Sequence, residues 1–343
     1  MRLVSLVFMA ALFAIASHSV FAQSVCPPGG CGLSASAIEA NRWPDVQPLP
    51  VDDALLNDRQ YRQIQGSFSV HAAPNSVESE TYGPGYTFMT VFEQSGEWSQ
   101  VGENQWVKSD LLSDAIAPSR FAGALLPVDA TLPYPVAWTL WHLRGSKTPG
   151  GPEAADNPFL YRYTRVYIYT TVEVNGYYWY QIGANQWVHQ FKVAKLLPVQ
   201  KPAEVDTEKW VSVDLYEQVA VAYEGDKPVF ATLVSSGLEE WPTNEGVFHV
   251  YVRFKRTLMS GAYAEPDFYY LQEVPWTMYF DDQIALHGAY WHDGFGFRRS
   301  HGCVNLSITD AHWLFHWAES EYNYQDGDLV GPAVYVYSSG VYD

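Results

Sequence analysis

A ten-residue pattern that occurs twice constrains the fold of this chain more than any other feature. Trp98-Ser99-Gln100-Val101-Gly102-Glu103-Asn104-Gln105-Trp106-Val107 returns as Trp179-Tyr180-Gln181-Ile182-Gly183-Ala184-Asn185-Gln186-Trp187-Val188, displaced by 81 residues (Trp98 to Trp179). Both copies alternate in character about turn-forming Gly and Asn, which is the signature of two short strands joined as a hairpin. A further β-rich run precedes each copy, Tyr86 to Phe92 and Arg165 to Val174. Two copies make a tandem pair of small β modules, too few for a solenoid. The modules are drawn at 58–117 and 118–200, and the second carries a Gly-, Pro- and Asp-rich insertion, Gly145 to Pro158, that reads as a surface loop.

Lys195-Leu196-Leu197-Pro198 closes the second module, and Lys201 to Glu208 has the composition of a linker. A third domain is therefore expected over 205–343. It opens with the strand Trp210 to Leu215 and continues through Gln218 to Tyr223, a turn at Glu224-Gly225-Asp226-Lys227, and Pro228 to Ser235. Phe248 to Phe254 and Trp276 to Phe280 supply further strands. The convincing helix comes late: Ser307 is placed to cap it, Asp310 follows three residues on, and Ile308, Ala311, Phe315 and Ala318 form one apolar face. The expected fold is mainly β, with one main helix and two small β modules upstream.

The chain has 343 residues, 48% of them hydrophobic and 17% charged, which is the composition of a globular protein. Its formal net charge of -18 leaves no basic footprint for nucleic acid or an anionic membrane. Arg2 followed by the apolar run Leu3 to Ala16 and by Val20-Phe21-Ala22 reads as a signal peptide over 1–22, with an uncleaved anchor as the competing reading. A flexible Pro/Gly/Ser-rich tether is drawn over 23–57. No later stretch is apolar enough to span a membrane, so the mature protein is expected outside the cytoplasm, in the cell wall or periplasm. Export sharpens the cysteine count. Cys26 and Cys31 flank a turn-forming Pro-Pro-Gly-Gly spacer and can close on each other, which leaves Cys303 as the odd thiol.

Cys303 stands in Ser300-His301-Gly302-Cys303-Val304-Asn305, sixteen residues after His287-Gly288. A free thiol has a pKa near 8.5 and is only about 3% thiolate at pH 7, so a working nucleophile needs a neighbouring base. His287 and His301 are the candidates. Gly302 permits close backbone approach, and the amides of Gly302 and Cys303 are candidates to face an oxyanion. The alternative is a zinc site built from His287, His292, His301 and Cys303. Against it, only His301 and Cys303 form a close ligand pair, and no His-Glu-x-x-His run occurs.

The stretch His287-Gly288, a loop of about a dozen residues, then Ser300-His301-Gly302-Cys303-Val304-Asn305 resembles the signature of the L,D-transpeptidase (YkuD-type) catalytic domain. Trp241-Pro242-Thr243-Asn244-Glu245-Gly246-Val247-Phe248 is similar to the family's Pro-Thr-x-x-Gly-x-Phe segment, and Trp291 sits where members often carry an aromatic. The upstream repeats resemble bacterial SH3-like domains through their Trp-x-x-apolar-Gly pattern. The first resemblance implies a cysteine acyltransferase that attacks a peptidoglycan tetrapeptide stem, releases D-Ala and forms a 3→3 cross-link. Cys303 would be the nucleophile and His287 the base, oriented by the carbonyl of Gly288. His301 and Gly302 would frame the oxyanion site with Cys303, Asn305 would hold the loop, Tyr290 and Trp291 would line the groove, and Ser300 and Asn305 would join them as ligand-binding residues. Asp281, Asp282 and Asp293 are acidic candidates for attracting an acceptor amine, against the plainer reading that they are solvated. The resemblance implies no metal and no organic cofactor. It implies stem peptides as partners, and glycan strands through the SH3-like modules. An L,D-carboxypeptidase acting on the same bond and a non-catalytic wall-binding protein remain the alternative readings.

Overall fold

The computed structural model describes residues 32–40, 46–127, 134–263, 265–325 and 327–341. The leader read at 1–22, with Cys26 and Cys31, lies outside the described residues. Strands dominate, as expected, and the one long helix (α1, Ile308–Trp317) stands near the C-terminal end.

The sequence repeat is a repeat of backbone. Trp98–Gly102 pairs with Gln105–Lys108, and Tyr177–Gly183 pairs with Gln186–His189. Both ladders shift register at the same point, between Gln100 and Gly102 and between Gln181 and Gly183. Asn104 and Asn185 turn both hairpins with φ of 53° and 55°, a conformation asparagine adopts more readily than most residues. The runs upstream of the two hairpins behave differently. Tyr86–Val91 (β1) pairs with Gln60–Ile64 on one side and, in parallel, with residues 269–271 on the other. The second run divides into Arg165–Tyr167 and Thr170–Val174, in separate sheets.

Two large sheets form the C-terminal part. The first contains β2 (Lys209–Asp214), β3 (Val219–Glu224), β4 (Lys227–Leu233), β5 (Gly246–His249) and β10 (Ala333–Tyr337), in the order β4-β3-β2-β10-β5. Beyond β4 it is extended by Ala124–Leu125 and then Gln47–Pro48. The second contains β6 (Val252–Gly261), β7 (Tyr269–Asp281), β8 (Ile284–Gly288) and β9 (Val304–Leu306) together with β1. The strand expected over Phe248 to Phe254 is thus two strands in two sheets. The chain crosses between them at Val250, which is wholly buried and whose N–H donates to the Pro332 carbonyl.

Apolar alternation decides how these sheets stack. Val211, Val213 and Leu215 of the first sheet meet Phe280, Leu286 and Val304 of the second, and α1 closes the layer with Ala311, Leu314 and Phe315. The other face of the first sheet, with Trp210, Val221 and Tyr223, is covered by Val136, Trp138, Leu140 and Leu196 from the region of the second repeat. Each such large side chain buried contributes about 1.5–3 kcal/mol. The sheets also draw in residues that composition assigned to the tether. Leu49 and Leu56 are buried, and Asp52 caps a short helix, Asp53–Leu56, by accepting from Ala54 N–H at 2.9 Å.

Candidate active site

β8 and β9 run parallel, with Leu286 opposite Val304 and His287 opposite Asn305. Strand alternation sends Leu286, Val304 and Leu306 into the core, so Ala285, His287, Cys303 and Asn305 share the other face. That face floors a cleft of about 1480 Å³ whose lining takes in His287, Trp291, His292, His301, Cys303 and Asn305.

The His287 ring is buried, with 2% of its surface exposed. Its Nδ1 stands 3.2 Å from the Gly288 carbonyl oxygen, to which it donates, and this assigns the lone pair to Nε2. Burial pushes the imidazole down to about 4, partly offset by that hydrogen bond. Cys303 is part-exposed, but its sulfur packs against the apolar cluster containing Ala285 and Leu271. That desolvation pushes the thiol up to about 11, against a smaller opposing contribution from a backbone hydrogen bond at Ala285. At neutral pH the two groups face the cleft as thiol and neutral imidazole.

The turn before Cys303 is held from both sides. Gly302 has φ of 109°, a left-handed conformation that a side chain would strain. Its carbonyl accepts from Thr243 Oγ1 at 2.7 Å, which ties the Trp241 to Phe248 segment to the loop that leads into Cys303. One expectation is corrected here. The Gly302 N–H donates to Ser300 Oγ at 3.1 Å and is therefore committed within the turn instead of facing an oxyanion. Ser300 is in the cleft lining, though nearly buried, and gives its own hydroxyl proton to the Cys303 carbonyl. His301 is exposed and lies between two aromatic rings, Trp241 at 4.1 Å and Tyr269 at 5.3 Å.

Tyr290 is a second correction. It does not line the groove, because its ring is buried in a stack on Tyr61 at 3.6 Å and its hydroxyl donates to the Gln272 carbonyl at 2.6 Å. Trp291, its neighbour, does line the cleft, 5.6 Å from the His287 ring. Of the three acidic candidates, only Asp282 is in the lining. Asp281 accepts from Asn244 Nδ2 at 2.8 Å, and Asp293 accepts from Ser119 Oγ at 2.5 Å and from Tyr163 Oη at 3.1 Å.

His292 has a place that sequence reasoning missed, having weighed it only as a zinc ligand. Both ring nitrogens are engaged. Gly294 N–H donates to Nδ1 at 3.0 Å, and Nε2 stands 2.9 Å from the side-chain amide of Asn305. His292 thus fixes the amide of the residue opposite His287. The available signal was local: a histidine two residues before a glycine can accept the glycine N–H, as Asn and Ser do in turns. Also missed were Tyr86, Leu140, Trp141 and Arg162, which wall the cleft from upstream of residue 205. Nothing in their own sequence neighbourhood marks them.

This arrangement can be set beside known proteins. Residues 208–336 match the YkuD family, the L,D-transpeptidase catalytic domain. The match takes in β8, β9 and the whole loop between them. A curated relative, the YciB protein of Bacillus subtilis (strain 168), is 29% identical over 119 residues, covering 31% of this chain and 59% of its own length. The chain therefore spans somewhat over half of that relative. Among solved structures, an L,D-transpeptidase from Mycobacterium smegmatis is similar over 49% of this chain and 69% of its own, at 19% identity and a TM-score of 0.33. The catalytic domain of the E. faecium L,D-transpeptidase is similar over 40% of this chain and 100% of its own, at 25% identity and a TM-score of 0.33.

Proposed function

We propose that the protein is a cysteine acyltransferase of peptidoglycan, with Cys303 as nucleophile and His287 as general base, that attacks a tetrapeptide stem, releases D-Ala and transfers the remaining tripeptidyl group to an acceptor amine as a 3→3 cross-link. The observation that carries this reading is the pairing of β8 with β9. It brings His287, with Nδ1 held by Gly288, onto the face that bears the Cys303 thiol, at the floor of an open cleft. The YkuD match over 208–336 supports the substrate class.

Both groups are neutral at rest, so the thiol proton passes to His287 Nε2 as sulfur attacks the carbonyl carbon between stem residues three and four. The C–S bond forms and the carbonyl electrons move to oxygen. On collapse the C–N bond breaks, and His287 returns the proton to the departing D-Ala amine. A second stem's amine then attacks the thioester, loses a proton to His287, and the thiol is regenerated. The 3→3 linkage, the export of the mature chain, the domain limits at 58–117, 118–200 and 205–343, and glycan contact through SH3-like modules belong to the same proposal.

Incubation with a stem tetrapeptide and an acceptor tests it. The expected product is a dimer joined through third residues, absent with Cys303→Ala. Tripeptide alone would reassign the protein as an L,D-carboxypeptidase. No reaction, together with no covalent adduct on incubation with a carbapenem, would leave a non-catalytic wall-binding protein.

A further inference from the structure

A protein with 38 acidic and 20 basic residues has few cations to spare, yet three arginines, Arg162, Arg298 and Arg299, line the one cleft that holds Cys303 and His287. Arg162 comes from the second-repeat region, between the strands Phe159–Leu160 and Arg165–Tyr167. Its Nη2 donates to the Tyr163 hydroxyl and, at 3.4 Å, to the Phe295 carbonyl. Its Nη1 stands 3.9 Å from Asp293 Oδ2, at the outer limit of an ion pair, while the other oxygen of that carboxylate already accepts from Ser119 and Tyr163. Its Nε is buried with no hydrogen-bond partner. The donor set of this guanidinium is incompletely used.

Arg299 approaches from the nucleophile loop. Its guanidinium passes so close over Gly294 that a Cβ there would fall 1.7 Å from Nε, so glycine at that position opens the passage the side chain occupies. Among the described residues, no carboxylate lies within ion-pair distance of Arg299. Arg162 reaches the Phe295 carbonyl and Asp293 while Arg299 lies over Gly294, so the two guanidinium groups stand against the same stretch, 293–295, at one end of the cleft. Such like charges repel, and an anion between them would relieve the repulsion. A planar carboxylate matches the fork of a guanidinium.

We infer that Arg162 and Arg299 form a carboxylate subsite for the donor stem, assembled across the second-repeat region and the nucleophile loop. This rests on the peptide-stem reading of the cleft. Two carboxylates of a stem have the right chemistry: the α-carboxylate of its fourth residue, and a side-chain carboxylate where the third residue carries one. The subsite makes the upstream region part of the substrate cleft, because the nucleophile loop alone supplies only one side of it.

The test uses the full chain with Cys303→Ala, which binds without turnover, and three tetrapeptides: the free acid, the C-terminal amide, and the third-residue carboxamide. Calorimetric titration is expected to show one of the two amidations weakening binding about 10- to 100-fold, the range of a charge-assisted contact. That identifies which carboxylate is held. Arg162→Gln and Arg299→Gln should weaken the acid by a similar factor and leave the corresponding amide unaffected. Equal affinity for all three peptides, or an equal loss for acid and amide in the arginine variants, overturns the subsite. The peptide comparison needs no arginine variant, so it decides the matter even if those variants misfold. Turnover of the free acid by the wild-type chain is measured in parallel. Turnover with carboxylate-indifferent binding removes the subsite alone, carboxylate-dependent binding without turnover removes the transferase alone, and no binding of any peptide removes both.

Discussion

At the scale of single residues, the site depends on two groups that are uncharged where a cysteine enzyme is often drawn as an ion pair. The Cys303 thiol, pushed up to about 11 by burial, would be roughly 0.01% thiolate at pH 7, against about 3% for a free cysteine. Iodoacetamide, which reads the thiolate, should therefore modify Cys303 slowly at pH 7 and about tenfold faster per pH unit up to pH 10. Acylation of Cys303 by a stem peptide should behave differently, because His287 takes the proton during attack. It needs only neutral His287, so its rate is expected to be level from about pH 5 upward and to be lost as pH falls through about 4. An alkylation profile that levels off below pH 8 would mean a preformed thiolate–imidazolium pair. At this same scale the sequence was a good guide to which residues meet, and a weaker guide to what each one touches. The motif that singles out His287 and Cys303 brings both onto one face at the floor of the cleft. Nothing in it announced that Tyr290 turns inward onto Tyr61, while Trp291, next in the chain, faces the cleft.

At the scale of elements, α1 shows where local rules stop. Ser307 caps it as the sequence suggested, accepting from Asp310 N–H at 3.1 Å, and the expected apolar face of Ile308, Ala311, Phe315 and Ala318 is buried. The Asp310 carboxylate, however, turns to distant partners. It accepts from Gly123 N–H at 2.8 Å and from Thr232 Oγ1 at 2.6 Å, and so pins the segment that leads into Ala124–Leu125 against the helix. Those partners lie 187 and 78 residues away in sequence, beyond any capping pattern. Burial raises this carboxyl from its ordinary 3.8 to about 6, only partly offset by the hydrogen bonds. The folded state therefore holds the proton more tightly than the unfolded chain. The associated stability is complete below pH 3.8 and is lost as pH rises through about 6. Relative to Asp310→Asn, which has no proton to release, the wild-type chain should lose on the order of 3 kcal/mol between pH 4 and pH 7. Urea unfolding of both proteins across that range measures the difference, and a gap that stays constant with pH would show that Asp310 is not buried as a carboxylate.

At the scale of the whole molecule, the question is whether 205–343 is a unit that merely carries its repeats. Trp210 to Leu215 reads in the sequence as a period-two strand, yet β2 is covered on both faces. One cover is the second sheet with α1; the other is Val136, Trp138, Leu140 and Leu196. The junction is polar as well: Lys195 Nζ stands 2.6 Å from the buried carboxylate of Glu217, whose second oxygen accepts the Lys195 N–H at 2.7 Å. β1 adds to the edge of the second sheet from still further upstream. Removing residues 1–204 would bare Trp210, Val221, Tyr223 and Leu233 on one face, leave Glu217 without its lysine, and strip β1 from β7. Four large side chains at about 1.5–3 kcal/mol each amount to roughly 6–12 kcal/mol, as much as the whole stability of a typical domain, about 5–15 kcal/mol. The fragment 205–343 is accordingly expected to lack a cooperative melt or to associate through the bared face, whereas 46–343 should unfold in a cooperative transition. Circular dichroism melts of the two fragments decide it. A cooperative, monomeric 205–343 with a midpoint close to that of the longer chain would mean that the upstream region is cargo, and that the walls it lends to the cleft are dispensable for folding.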